Sequence, residues 1–241
     1  TVLGLDVRRD VTAVHRRLAY VPSVADLWPS LTGEETLRLL GNLHGSVDVA
    51  YRSQLVERFE LDVDKKNRAY SHGNKQKVVL IAAFASRAEL LLLDEPTTGL
   101  DPLMEQQFRT CVAEAKERGQ TVLLSSHILS EVEATCDSVA MLRAGRLVDV
   151  GRLDTLRGMA AAQVHAHVRR EPADLGALAG VGDVTVLRSE GAGGGFDVEC
   201  DVTGDIGPLV SALSAAGVER LSTREPSLEE LFVNRYGTDG R

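Results

Sequence analysis

The chain has 241 residues, 44% of them apolar and only 4% aromatic, with 35 acidic against 27 basic side chains and a net charge of −8. That length holds one large domain, or a medium domain and a small one, over a core made mainly of Leu, Val and Ala. The acidic balance, with both signs mixed along the chain, excludes a basic nucleic-acid-binding stripe, and no apolar run approaches the roughly 20 residues of a membrane span. Cys111, Cys136 and Cys200 are far apart and form no C-x-x-C pair, which points to a reduced, cytosolic setting. The sequence starts at Thr1 rather than Met and reads as a fragment, a processed product or a trimmed piece.

In chain order, Leu18 to Pro22 is a short buried strand ended by proline. Thr32 and Glu35 form a capping box for a helix that carries Leu37, Leu39, Leu40 and Leu43 and stops near Gly41 to Gly45. A second helix spans about Val49 to Phe59, and Lys65-Lys66-Asn67-Arg68 reads as a solvated basic turn. Ser71 caps a helix of about a dozen residues that ends near Ser86. Four consecutive leucines, Leu90 to Leu93, read as a strand buried on both faces. Asp101 is an N-cap with Pro102 at the first helical position, and Gly119 lies past that helix's end. The next strand is Thr121 to Ser125, followed by His127 and a short helix over about Leu129 to Thr135. Val139–Leu142 and Arg146–Val150 form a hairpin across Ala144-Gly145. From about Met159 the pattern becomes strand, helix, strand, strand, helix, strand, helix, which suggests a ferredoxin-like α+β domain. Gly191 to Gly195 is a hairpin loop in it, and Pro226-Ser227-Leu228-Glu229-Glu230 opens its last helix with a capping box.

Chemistry concentrates where the four-leucine strand ends. Asp94 and Glu95 sit where an open parallel sheet presents catalytic groups, and the pair suits metal-assisted phosphoryl transfer. A strand followed by acids is also common for structural reasons, because Asp and Glu favour the start of the helix that comes next. The expected companion, a G-x-x-x-x-G-K loop followed by Ser or Thr, occurs nowhere in the 241 residues.

Residues 71–77, 90–96, 97–102 and 125–127 together resemble, in order, the motifs of the nucleotide-binding domain of ATP-binding cassette (ABC) transporters. The resemblance covers about residues 1–155. It implies an α/β fold: a truncated P-loop NTPase domain with a helical subdomain over about 26–86. The remaining residues, 156–241, resemble the small accessory domain of many bacterial exporter ATPases, most clearly at Pro226 to Phe232. By the likeness, Leu90 to Pro96 is the Walker B strand, with Asp94 holding Mg²⁺ and Glu95 acting as general base or orienting water. Thr98-Gly99-Leu100-Asp101 resembles the D-loop, and Ser125-Ser126-His127 the switch-histidine motif, with His127 meeting the γ-phosphate and the attacking water. Tyr70 to Lys77 resembles the signature, usually written Leu-Ser-Gly-Gly-Gln, with departures at Tyr70, His72 and Asn74. Its physical logic is a helix N-terminus facing phosphate, with Gly73 allowing close backbone approach. Ser71, Gly73, Asn74 and Asp101 are the implied nucleotide-binding residues, joined by Ser23, which stands where the family usually has glutamine.

The resemblance therefore implies the ATPase subunit of a bacterial ABC exporter of drugs or antibiotics, seen without its N-terminal phosphate-loop part and inactive in isolation. ATP and Mg²⁺ are the implied cofactors. The implied partners are a second ATP-binding subunit, arranged head to tail, and a separate transmembrane permease, with no nucleic acid. The implied location is the cytoplasmic face of the cell membrane. Two other readings stand beside it: a non-catalytic subunit lending its signature helix to a partner ATPase, and a soluble ABC ATPase.

Overall fold

The computed structural model describes residues 1–158, 161–189, 194–225 and 227–230. The chain divides into two compact units, Thr1–Thr135 and Cys136–Arg241. The expected boundary near residue 155 falls inside the second unit, because the hairpin of residues 138–152 belongs there.

In the first unit, β1 (Leu18–Val21), β2 (Leu90–Asp94) and β3 (Thr121–Ser125) form a parallel sheet with β2 in the centre. The register runs Leu18↔Leu90↔Thr121 through to Asp94↔Ser125, so the motif-bearing ends of β2 and β3 lie side by side. A short helix, α1 (Val11–His15), precedes β1 and had no signal in the sequence pattern. Helices α2 (Gly33–His44), α3 (Val49–Arg58) and α4 (His72–Ala85) fill the crossover from β1 to β2, and α5 (Pro102–Glu117) makes the crossover to β3. After β3 comes α6 (Leu129–Thr135). The helix starts follow the cap chemistry. Thr32 and Glu35 make a complete capping box, Ser71 Oγ accepts from Asn74 N, and Asp101 accepts from Leu103 N and Met104 N.

Two expectations are corrected. The four-leucine strand is not buried on both faces. Leu91 and Leu93 lie in the core with Ile81, Phe84 and Phe108, whereas Leu90 and Leu92 are only half-buried. On that second face their row is flanked by Tyr20, 57% exposed, and Leu123, 64% exposed. Burial alternates along β2, so continuous apolar sequence does not produce two-sided burial here. The basic turn is likewise only partly solvated. Lys65, Lys66 and Arg68 are exposed, but Asn67 is buried in a 3₁₀ turn, and its amide donates to Trp28 O at 2.9 Å and Thr36 Oγ1 at 2.7 Å.

A polar cluster ties α3 to α5. The Tyr51 hydroxyl donates to Glu114 Oε2 at 2.6 Å, and Arg58 reaches Glu114 Oε1 at 2.9 Å. The Arg87 guanidinium lies 3.8 Å from the Tyr51 ring centroid while pairing with Asp48 at 2.8 Å. Burial and the bond to Glu114 push the Tyr51 hydroxyl up to about 12, and burial pushes the neighbouring Cys111 thiol up to about 11.

In the second unit, β4 (Ser138–Arg143) and β5 (Arg146–Arg152) form the expected hairpin, and its two turn residues, Ala144 and Gly145, have φ of 48° and 74°. This is the type I′ pattern that matches strand twist. Helix α7 (Leu153–Gly158) follows. Next come β6 (Ala162–Val168), β7 (Val181–Arg188), β8 (Phe196–Val202), α8 (Gly207–Ala215) and β9 (Val218–Arg224). All pairings are antiparallel in the order β7-β8-β6-β9, which is the ferredoxin-like arrangement. Val164, Val168, Val198 and Val202 face Leu209 and Leu213 of α8 in one core. The expected first crossover helix is only a 3₁₀ turn, Leu175–Ala177. Pro172, Gly176 and Gly180 interrupt the segment too often for an α-helix. Ser227 and Glu230 form the expected capping box, with Glu230 N on Ser227 Oγ at 3.2 Å and Ser227 N on Glu230 Oε2 at 2.9 Å. Pro226, residues 231–232 and the first three residues of the glycine loop lie outside the described residues.

Glu114 is the acceptor on which the α3–α5 cluster converges. Burial alone would raise its carboxyl, but the Tyr51 hydroxyl and Arg58 outweigh that and hold it below its ordinary 4.5. Its contribution is therefore present above that value and lost as pH falls through the lowered one. Glu114→Ala is expected to cost about 1–3 kcal/mol at neutral pH in urea unfolding, because the partners lose a partly buried charged acceptor. The gap to wild type should narrow on the acid side of 4.5. A gap unchanged at about pH 3 would remove the carboxylate from this role.

Candidate active site

The site forms where β2 and β3 end. Asp94 and Ser125 are register partners, and Ser125 Oγ donates to Asp94 Oδ1 at 2.5 Å. The next residue, Glu95, has φ of 46°, a left-handed backbone that is strained for a side-chain-bearing residue. Its N–H is held by Ser125 O at 3.1 Å and Ser125 Oγ at 3.3 Å, and its carbonyl accepts Thr98 N at 3.2 Å. This fixed turn takes the chain out of the sheet and sets the Glu95 carboxylate against His127. The contact is Nδ1 to Oε2 at 2.7 Å, with the Glu95 side chain one-quarter exposed and that of His127 75% exposed. An ionised carboxylate can only accept, so Nδ1 is the donor in this contact.

The second set of residues lies at the start of α4. Ser71 caps the helix, and Gly73 is required by a contact that the sequence did not announce. A Cβ built on Gly73 would stand 2.3 Å from the carbonyl oxygen of Gly99. The His72 ring lies against the same glycine, with Cδ2 2.6 Å from where its Cβ would be. The loop of residues 97–101 is therefore seated on the first turn of α4 within one chain. Asp101 spends Oδ1 on Leu103 N at 3.1 Å and Met104 N at 3.0 Å, so it is a helix cap. Tyr70, a departure from the usual motif, is core. It is buried, and its hydroxyl donates to Asp62 O at 2.6 Å.

Among the described residues, no hydrogen bond or ion pair joins the side chains of Ser71 or Asn74 to Asp94, Glu95 or His127. The two sets meet instead through a residue to which no role was given. Gln76 of α4 is fully buried, and its Nε2 donates to Pro22 O at 3.2 Å and Pro96 O at 3.3 Å. Pro22 immediately precedes the half-buried Ser23, and Pro96 follows Glu95. A signal for Gln76 existed: it is a polar residue four positions before Leu80 and eight before Phe84, on the apolar face of the helix. Trp28 is half exposed, and its carbonyl accepts from Asn67 Nδ2 and Leu31 N.

The donor set at the sheet edge is carboxylate and hydroxyl oxygen, the hard chemistry that suits Mg²⁺. Among the described residues, no group of three or more His, Cys, Asp and Glu forms a metal site. A cation beside Asp94 would take its other ligands from phosphate oxygens and water, the usual habit of Mg²⁺.

Gly73→Ala is expected to displace the 97–101 loop, since the new methyl meets backbone rather than a yielding side chain. The expected cost is about 1–3 kcal/mol, with faster hydrogen exchange at the Thr98 and Leu100 amides that close the loop's turns. Unchanged stability and exchange would show that the loop does not depend on this contact.

The ABC transporter family profile matches residues 1–98. The daunorubicin resistance ATP-binding protein DrrA3 of Streptomyces coeruleorubidus is 34% identical over 257 aligned positions, covering 100% of this chain and 78% of that protein. The linearmycin resistance ATP-binding protein LnrL of Bacillus subtilis (strain 168) is 28% identical over 255, covering 98% of this chain and 80% of its own length. A solved ATP-binding subunit of an ABC transporter superposes with a TM-score of 0.60 at 34% identity, over 64% of this chain and 66% of that one. Its parallel sheet, the motif order along it and these likenesses agree: the chain belongs to the ABC transporter ATP-binding proteins and has drug- and antibiotic-resistance ATP-binding proteins among its relatives.

Proposed function

We propose that this chain is the ATP-hydrolysing subunit of a bacterial exporter of drugs or antibiotics. The observation that carries the reading is the 2.7 Å contact between Glu95 and His127 beside Asp94 at the end of a parallel sheet. Asp94 keeps one oxygen on Ser125 and offers the other to the water shell of Mg²⁺. Mg²⁺ held there would supply charge neutralisation at the phosphates. Glu95 accepts a hydrogen bond from the attacking water and holds it in line. His127 is steadied through Nδ1, and its exposed Nε2 faces the γ-phosphate and that water.

The start of α4 serves a nucleotide held by a second ATP-binding subunit. Ser71 Oγ occupies the Asn74 amide, which leaves the His72 and Gly73 amides at the positive end of the helix dipole for phosphate. The 241 residues carry no Gly-rich phosphate loop, so the phosphate cradle comes from outside them, and the isolated chain is inactive. Val24, just before the 26–86 segment, and Trp28, near its start, are both exposed and support docking of that segment on a transmembrane permease. Among the described residues, no helix is long and apolar enough to cross a membrane, so attachment at the inner face would run through that permease. The ferredoxin-like sheet acts as an accessory domain in regulation or dimer contact. Drug or antibiotic cargo is supported by the resistance proteins among the relatives, not by any residue described above.

In the natural protein that carries these residues, Glu95→Gln should lower the turnover of Mg-ATP at least about 100-fold, with nucleotide affinity within about threefold of wild type. Phosphate release and equilibrium nucleotide binding measure the two. Hydrolysis left intact would overturn the role of Glu95.

A further inference from the structure

The turn around His127 is bracketed by a single hydroxyl. Ser126 Oγ accepts the Ile128 N–H at 3.0 Å and donates to Glu131 Oε2 at 2.5 Å. Glu131 is the third residue of α6, and both Glu131 N and Val132 N bond to Ile128 O, at 3.1 and 3.3 Å. The two residues on either side of His127 are therefore both tied to α6, one through its side chain and one through its backbone. The arrangement resembles a capping box with a serine hydroxyl inserted between the helix-start amide and the glutamate.

Glu131 is 8% exposed, and its Oε1 has no hydrogen-bond partner. It lines a small cavity of about 50 Å³ together with Thr97 of the 97–101 loop and Arg109 of α5. A buried carboxylate with one unpaired oxygen costs stability, so its presence calls for another reason. The Ser126 hydroxyl supplies one. It offers a lone pair to Ile128 when its own hydrogen points away from that N–H, and an acceptor on the far side holds it there. A carboxylate takes that hydrogen through either oxygen, and the charge strengthens the bond. Glu131 thus sets the direction of the hydroxyl, the hydroxyl sets the 126–128 turn, and the turn presents His127 to Glu95.

We propose that Glu131 is a positioning residue for His127, holding its Nδ1 on Glu95 through Ser126. Its catalytic meaning rests on the ATPase reading above; the contact itself does not. The test uses the 241-residue chain labelled with ¹⁵N-histidine and long-range ¹H–¹⁵N spectra, which report the hydrogen bond at His127 Nδ1. Glu95→Ala marks the position of the resonance once that bond is lost. Glu131→Ala and Ser126→Ala are expected to move it to the same place, and Glu131→Gln, whose amide oxygen still accepts from Ser126, to leave it near wild type. Ser126→Ala tests the link without altering a residue of α6, so a folding defect in Glu131→Ala leaves the decision to Ser126→Ala. A His127 signal at its wild-type position in the folded alanine variants overturns the proposal, as does a displacement by Glu131→Gln as large as that by Glu131→Ala. In the natural protein, Glu131→Ala should lower kcat about tenfold with KM for ATP within about twofold, and Glu131→Gln should restore it. If the wild-type protein hydrolyses no ATP, the ATPase reading fails, and the spectra still decide the role of Glu131.

Discussion

One buried side-chain amide holds the working edge of this sheet together. The strands β1 and β2 end at Val21 and Asp94, and just past those ends the carbonyls of Pro22 and Pro96 have no ladder to join. Gln76 gives one N–H to each. A primary amide is suited to this, since it carries two donors on a single nitrogen. The arrangement fixes three things at once: the inner face of α4, the exit toward Ser23 and the exit after Glu95. It leaves the Gln76 Oε1 without a protein partner. The fold accepts that loss at a place where two loops need a common anchor.

From that anchor the rest of the site follows by short-range steps. The left-handed turn at Glu95 stands because Ser125 holds its amide with both a carbonyl and a hydroxyl. The same hydroxyl also donates to Asp94, so one serine orders both acids. Strain at a single residue is sustainable when neighbouring hydrogen bonds over-determine it. Farther from the edge, the cluster of Tyr51, Arg58 and Glu114 joins the helices of the β1–β2 crossover to α5. The segment expected to meet a permease is thereby braced against the helix that follows the 97–101 loop.

What the sequence disclosed was mostly local. Thr32, Ser71, Asp101 and Ser227 announce helix starts because a cap is a contact between residues two or three apart. The Ala144-Gly145 turn is legible for the same reason. The motif order in the first unit was enough to identify the family, and the strand spacing in the second gave the ferredoxin-like sheet. The misses are tertiary. Whether Leu90 and Leu92 are covered depends on what packs above them, which four leucines in a row do not state. Asn67 looked like part of a charged turn because its neighbours are charged, yet it is the one residue of the four that points inward. Gly73 was read as making room for phosphate, and in the structure it also makes room for the backbone of Gly99. Gln76 showed only as a polar residue on an apolar helix face, because the Pro22 and Pro96 carbonyls come near it only by folding. Glu131 is local to Ser126, five residues on, but the pair matches no standard cap spacing.

The open side of the first sheet has a colloidal consequence. Tyr20, Leu92 and Leu123 form a continuous apolar row across three strands, two of them largely bare. At neutral pH the net charge of −8 keeps copies of the chain apart. That repulsion fades toward the isoelectric point near 5.3, while the greasy row is indifferent to protons. Near that pH, less charge repulsion opposes contact through this row.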